Sequence, residues 1–168
     1  FYLANFMWKI MFLHELAIFI FGGNVAFLTF GIKKMSDILH IIPQRPPFVF
    51  VDEVAYADEE GAEVYYTITK ECPLVDDDRL PLAGVLEHVA QSCAARIGNL
   101  QITENEPVRI GYIGAVKTLA MKRMPKVGER MRTKVMLMES VLDISLLQCD
   151  TFIEGECIAQ TTLKLALM

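Results

Sequence analysis

From Pro81 to Gly98 the chain reads P-L-A-G-V-L-E-H-V-A-Q-S-C-A-A-R-I-G, a mostly apolar stretch with a single carboxylate, Glu87. Pro81 suits a helix start and Gly98-Asn99 a left-handed stop, so the sequence predicts a helix over about residues 82–98. Leu86, Val89, Ala90, Cys93 and Ile97 mark its expected buried side, and Ala83, Gly84, Ala90, Ala94 and Ala95 are small enough for strands to approach closely. This is a core element, as expected of a helix wrapped by a sheet. Taking an unpaired carboxylate out of water is costly, so Glu87 must be paired, exposed or reserved for acid/base work. Helical spacing sets Glu87, Gln91 and Ala94 or Ala95 on one strip. The strip is polar at its start and small-sided beyond, which suits a narrow apolar channel with a catalytic group at one end.

The segments around this helix read as strands. Ser36-Asp37 caps a short helix through Leu39 that must stop before Pro43, and Phe48–Ala57 follows as a β-branched and aromatic run. The turn Asp58-Glu59-Glu60-Gly61 leads into Ala62–Lys70, where Val64, Tyr66 and Ile68 alternate with Tyr65, Thr67 and Thr69. After the helix come Val108–Arg123, Arg130–Leu142, Ile144–Ile153 and Cys157–Leu167, joined by turns at Lys126-Val127-Gly128 and Glu154-Gly155-Glu156. In the last strand Cys157, Ala159, Thr161, Leu163, Leu165 and Leu167 share one face, the buried one. Two strands, one long helix and an antiparallel meander make an α+β plan in which a sheet curls around a helix.

The chain changes character at Met35. Residues 1–34 are rich in Phe, Leu and Ile, with only Lys9, Glu15, Lys33 and Lys34 charged, whereas Met35–Met168 reads as one ordinary domain of 134 residues. The uncharged run Leu16–Ile32 would span roughly 26 Å as a helix, slightly short of the ~30 Å hydrocarbon core, and it contains Gly22-Gly23-Asn24. Residues 1–34 are therefore either an upstream read-through extension or a membrane anchor ending at Lys33-Lys34. Four cysteines without a C-x-x-C pair, and three histidines at other spacings, give no metal site and suit a reducing cytoplasm. A formal charge of −5 argues against nucleic acid, yet Lys117–Lys134 holds seven basic residues against Glu129 alone.

Four segments carry a family resemblance: Ile41–Asp52 (I-I-P-Q-R-P-P-F-V-F-V-D), the helix L-E-H-V-A-Q, Gly114–Glu129 (G-A-V-K-T-L-A-M-K-R-M-P-K-V-G-E) and E-G-E-C-I-A-Q in the last hairpin. In this order they resemble the hotdog-fold 3-hydroxyacyl-acyl-carrier-protein dehydratases over Met35–Met168. The resemblance implies a curved antiparallel sheet wrapped around one long central helix, a dimer, no cofactor, and acyl-carrier protein as partner. In that family a Glu four residues before a Gln works with a His from the other protomer. Glu87 and Gln91 match that spacing, and Pro81 matches the proline six residues before the Glu. The family's G-H-F-P loop is replaced by the stretch around Cys72–Asp78, with no histidine between His40 and His88. A closer resemblance is to the divergent branch of aryl-polyene and flexirubin pigment clusters, some members of which act as one half of a mixed dehydratase dimer.

Dehydration of a 3-hydroxyacyl thioester needs a base for the C2 proton and an acid for the departing hydroxyl, and Glu87 near its helix start is placed for the hydroxyl. The bland alternative is a Glu bonded to a nearby backbone group or Arg. Gln91, Gly84, Pro81, Asp76 and Asp77 are read as channel or supporting residues, with Gln91 bonding the loop that frames the channel. His88 points ~100° away from Glu87 and reads as a surface or interface residue. Cys72 has no paired base and makes a poor nucleophile. Lys122, Arg123, Arg130 and Arg132 read either as plain charged surface or as a docking patch for an acidic carrier protein. The functions left open are a dehydratase, alone or as half of a heterodimer with another hotdog protein, an acyl-thioester hydrolase, and a non-catalytic hotdog subunit.

Overall fold

A computed structural model describes residues 12–13, 16–21, 24–29, 33–107, 109 and 111–167. The chain divides into two compact units, Phe1–Ile32 and Lys33–Met168. In the first, β1 (Phe12–Leu13), β2 (Leu16–Phe21) and β3 (Asn24–Thr29) form an antiparallel sheet in that order. The helical reading of Leu16–Ile32 is corrected for the described part of that run. L-A-I-F-I-F and N-V-A-F-L-T are β-branched and aromatic, and Gly22-Gly23 between them weakens any continuous helix. The rest of residues 1–34 that bears on an anchor lies outside the described residues. Among the described residues no helix is long and apolar enough to cross a membrane.

The second unit runs β4 (Lys33–Lys34), α1 (Met35–Ile41), β5 (Glu53–Ala57), β6 (Gly61–Thr67), α2 (Leu82–Thr103), β7 (Gly111–Met121), β8 (Arg130–Val141), β9 (Ile144–Ile153) and β10 (Glu156–Leu167). Its seven strands pair antiparallel in the order β4-β5-β6-β8-β9-β10-β7. Register shifts between Val54 and Tyr56, Leu137 and Glu139, and Thr162 and Leu163 add local bend and twist to the ladders. The inner faces of β6, β8, β9 and β10 supply Ala62, Val64, Val135, Leu147, Cys149 and Leu163, which pack with Val89, Cys93 and Ala95 of α2 in one core. This is the hotdog arrangement, an α+β sheet with one long helix at its centre.

Four local differences from the sequence reading have physical causes. The helix continues past Gly98 to Thr103. A Cβ on Gly98 would lie 2.0 Å from the Ile41 carbonyl oxygen, so this glycine serves the close crossing of the α1 backbone rather than a C-cap. Asn105, at φ 59°, takes the left-handed position instead.

The segment Phe48–Asp52 is apolar but is no strand, since β5 begins at Glu53. Only its end reaches a neighbouring strand, where the Asp52 N–H donates to the Tyr65 carbonyl at 2.8 Å; further back, side chains of α2 take the backbone, the Phe50 N–H donating to Gln91 Oε1 at 2.8 Å and the Phe48 carbonyl accepting from Gln91 Nε2 at 2.9 Å. The short first helix, for its part, extends to Ile41, with Ile38 and Ile41 both in the core.

The buried side of α2 is also broader and more polar than its apolar pattern suggests. His88, Gln91, Ser92 and Arg96 are buried beside Val85, Val89 and Cys93, whereas Leu86, Ala90 and Ile97 are only partly covered. A helix packed against a sheet on one side and crossed by Phe48–Asp52 and α1 on others buries more than one stripe.

Candidate functional site

Glu87 sits in the second turn of α2, half-buried, at a groove of ≈ 170 Å³. Ala90, Ala94 and Ile97 continue its strip along the helix, and Ile41, Ile113, Leu165 and Leu167 face them from α1, β7 and β10. The small side chains at 90 and 94 are what leave room between helix and sheet. Gln44 and Arg109 are its other polar liners, Arg109 being ion-paired with Asp143 at 2.9 Å. One carboxylate beside an otherwise mostly apolar slot is an arrangement able to hold an acyl chain and move a proton at one point along it.

Gln91 fixes that carboxylate. One turn further on, its Nε2 donates to Glu87 Oε1 at 2.7 Å and also to the Phe48 carbonyl, while its Oε1 takes the Phe50 N–H. Every polar group of this fully buried amide is engaged on a defined partner. Glu87 Oε2 is left to face other groups.

The reading of His88 as a surface or interface residue is corrected. Its side chain is fully buried, with Nδ1 2.7 Å from the Phe50 carbonyl oxygen and Nε2 2.9 Å from Thr133 Oγ1, which in turn lies 2.8 Å from Thr151 Oγ1. The ring stacks on Tyr66 at 5.9 Å between centroids. Burial pushes the imidazole down to about 4, against the opposing pull of the Phe50 carbonyl, so it is neutral at pH 7. The angular argument separated His88 from Glu87 correctly but took the far side of the helix for solvent. A threonine between Met131 and Val135 on the inward face of β8 is the signal that a buried polar partner was needed.

Pro81 stands at the N-cap of α2, its carbonyl accepting the N–H groups of Gly84 at 2.9 Å and Val85 at 3.1 Å. Gly84 makes way for Leu80, whose Cδ1 would be 2.2 Å from a Cβ at that position. Both residues therefore set the helix start, and neither lines the Glu87 groove. Asp76 and Asp77 are exposed in a tight turn in which Asp76 and Arg79 exchange backbone hydrogen bonds of 2.8 and 2.9 Å, with Asp77 and Asp78 at positive φ. The turn is tied to the next hairpin by Val127 N–H to Asp78 O at 2.9 Å and Leu80 N–H to Pro125 O at 2.8 Å. It too lies apart from the groove lining. Cys72 is buried, and among the described residues no group of three or more His, Cys, Asp or Glu side chains is placed to hold a metal ion.

On the basic face each arginine has a carboxylate of its own chain. Arg123 pairs with Glu129 at 2.8 Å and approaches Glu156 at 3.7 Å, Arg130 pairs with Glu53 at 2.7 Å, and Arg132 reaches Glu63 at 3.5 Å. Arg130 and Arg132 also lie over the rings of Tyr65 and Phe152, at 4.4 and 4.9 Å from their centroids. Lys122, Lys126 and Lys134 make no ion pair among the described residues. The local positive charge is thus carried by the lysines.

The fold recurs in solved structures. The dehydratase heterocomplex ApeI:P from Xenorhabdus doucetiae matches with a TM-score of 0.73 and 14% identity, over 78% of this chain and 90% of that one. An uncharacterized protein from Pyrococcus horikoshii matches with a TM-score of 0.60 and 13% identity, over 77% of this chain and 92% of its own. The E. coli PaaI protein, from the phenylacetic acid degradation operon, matches with a TM-score of 0.55 and 11% identity, over 67% and 80%. At such identities the likeness speaks for the fold alone. No curated protein matches the chain. The family model for ApeP dehydratase, however, matches residues 36–167, a span that holds Glu87, Gln91, His88 and every strand from β5 to β10. By that match the chain belongs to the ApeP-like dehydratase family.

Proposed function

We propose that this chain is one half of a two-chain hotdog dehydratase acting on 3-hydroxyacyl groups carried on acyl-carrier protein. The observation that carries this reading is Glu87, clamped by Gln91 beside an apolar groove, in a chain whose loop between β6 and α2 has no histidine. A groove of ≈ 170 Å³ is small against the ~300–1,000 Å³ of ordinary ligand sites, which suits a half-site that a second chain completes. Its wall includes Gly111 and Ile113 of β7, and β7 is the last strand of the sheet, with Gly111–Thr118 exposed throughout. A second hotdog chain laid against that edge would lie next to the groove and cover the open ladder. The ApeI:P structure is a dehydratase heterocomplex, which supports a partner of this kind.

In the proposed reaction the partner's histidine takes the C2 proton, and the electron pair of that C–H bond becomes the second bond between C2 and C3. The C3–O bond breaks as protonated Glu87 gives its proton to the hydroxyl, which leaves as water. Gln91, holding Oε1, leaves Oε2 to meet the hydroxyl, and Ala90, Ala94 and Ile97 carry the acyl tail away from the reacting carbons. The unbridged thiols Cys72, Cys93, Cys149 and Cys157 suit a reducing cytoplasm as the place of action.

The test is a mixture of this chain with a histidine-bearing hotdog partner, supplied with a carrier-bound 3-hydroxyacyl thioester. The mixture is expected to dehydrate it, this chain alone to do little, and Glu87→Gln to lose at least ~100-fold, the usual scale for one acid/base group. Equal activity of the Gln variant would make this chain a structural half, and release of free acid in place of the enoyl product would make it a thioester hydrolase.

A further inference from the structure

We propose that His88 is a positioning residue for Glu87, acting through the Phe50 peptide and Gln91, a role that rests on the dehydratase reading of the Glu87 site. The polarity of the chain of contacts follows from one atom. The Phe50 carbonyl can only accept, so Nδ1 of His88, 2.7 Å away, carries the ring proton. Nε2 is then bare and accepts from the Thr133 hydroxyl at 2.9 Å, and the Thr133 oxygen accepts from Thr151 at 2.8 Å. Each donor has one acceptor and no hydroxyl is left with a choice.

The same Phe50 peptide that His88 holds by its oxygen presents its N–H to Gln91 Oε1 at 2.8 Å. That bond fixes which end of the Gln91 amide is nitrogen, and so which end donates to Glu87 Oε1 at 2.7 Å. His88 and Glu87 are neighbours in sequence yet point to different sides of α2. Their connection runs out of the helix, through the strip at residue 50, and back. Loss of the His88 bond frees the Phe50 peptide to rotate, and the Gln91 amide loses the reference that keeps its donor on the carboxylate. Displacement of a catalytic group by ~1 Å can cost ~100-fold in rate without loss of substrate binding.

The experiment uses the mixed complex with a histidine-bearing partner and a carrier-bound 3-hydroxyacyl thioester. His88→Leu removes both ring bonds and Thr133→Val only the one to Nε2, so the second keeps the test alive if the first does not fold. Leu147→Ala, a core change in β9 remote from this chain of contacts, serves as the control for lost stability alone. The expected result is a fall in kcat of ~10–100-fold for His88→Leu, and a smaller fall for Thr133→Val, with KM within about threefold. His88→Asn, whose Nδ2 can take the place of Nδ1, should recover at least about tenfold over the Leu variant. Falls in kcat that merely track stability, so that Leu147→Ala behaves as His88→Leu does, would overturn the proposal.

A second arm needs no activity. Nitrogen-15 NMR of the free chain should show His88 protonated at Nδ1 and bare at Nε2, and the Gln91 side-chain amide signals should move in His88→Leu and Thr133→Val but stay in Leu147→Ala. An Nε2–H tautomer, or unmoved Gln91 signals, would sink the positioning claim. A mixed complex without dehydration at all would sink the reading of the site instead, while these signals still decide whether His88 holds Gln91.

Discussion

Gln91 stands one helical turn after Glu87 and holds it from within the protein, with Nε2 2.7 Å from Glu87 Oε1 and Oε1 2.8 Å from the Phe50 nitrogen. The carboxylate is therefore tied to the non-helical strip at residues 48–50, and not merely to its own helix. Replacing Gln91 by Leu keeps the volume roughly but strands the buried Phe50 N–H and the Phe48 carbonyl. With ~1–3 kcal/mol for each unmade bond, a loss of about 3 kcal/mol is expected in urea unfolding. A loss below about 1 kcal/mol would mean that these groups find other partners.

The buried His88 makes stability depend on pH. Its folded value of about 4 lies below the ordinary 6.5, so at pH values between the two the unfolded chain binds a proton that the folded chain refuses. The His88 contribution is complete above pH 6.5 and is lost as pH falls toward 4, about 3 kcal/mol in all. Urea unfolding at pH 7 and at pH 4.5 should register most of that loss, and His88→Asn should flatten this part of the profile. An unchanged slope in the Asn variant would assign the acid sensitivity to other groups.

Gly98→Ala would put a methyl group 2.0 Å from the Ile41 carbonyl oxygen, which belongs to backbone and cannot swing away. The helix-propensity gain of about 1 kcal/mol for Ala over Gly is outweighed, and a net loss of about 2 kcal/mol or more is expected from thermal or urea unfolding. A stabilised variant would show that α1 shifts away at little cost.

For the carrier-docking reading, the ion pairs change which residues matter. Reversing Lys122 and Lys126 to Glu should weaken binding to an acyl-carrier protein and reduce its salt sensitivity. Reversing Arg130 and Arg132 should do less, because Glu53 and Glu63 already offset them. Affinity measured at two salt concentrations decides it, and an affinity unchanged in both double variants would return the face to ordinary surface.

The β7 edge carries Tyr112 at 49% and Val116 at 39% exposure. Lysine at both positions is expected to prevent edge-to-edge association while leaving the monomer folded, since lysine on an exposed edge strand opposes pairing. Sedimentation at micromolar concentration, alone and with a hotdog partner, checks this. Association undiminished in the double variant would place the interface elsewhere.

What the sequence could disclose follows from the range of the forces involved. The alternation in β6 and β10 is a local pattern tied to one buried face, and it was legible strand by strand. Glu87 and Gln91 were legible as a pair because the helix itself sets them one turn apart. Gly98 was misread because a stop signal and a close backbone crossing ask for the same residue, and the crossing partner, Ile41, is 57 positions away. Phe48–Asp52 has strand composition, but at Phe48 and Phe50 its partner is the Gln91 side chain of α2, which no local pattern announces. The groove liners Ile113, Leu165 and Leu167 read only as strand residues until the sheet curls them toward α2. In β2 and β3, hydropathy without period could not choose between helix and strand.

The strip at residues 48–50 also has a place in time. Its hydrogen bonds reach across 38, 41 and 43 residues to His88 and Gln91, so none of them can form until a loop of about forty residues has closed on a finished helix. The hairpins β8-β9 and β9-β10, joined by short turns, need no such wait. The two hairpins can therefore precede the carboxylate clamp, whereas the β6–β8 pairing, which joins Thr67 to Arg130 and Gly61 to Met136, closes a longer loop still. Glu87 gains a fixed orientation only when the closure onto residues 48–50 is made, and a chain caught just short of that point would hold its hairpins beside a carboxylate still free to turn.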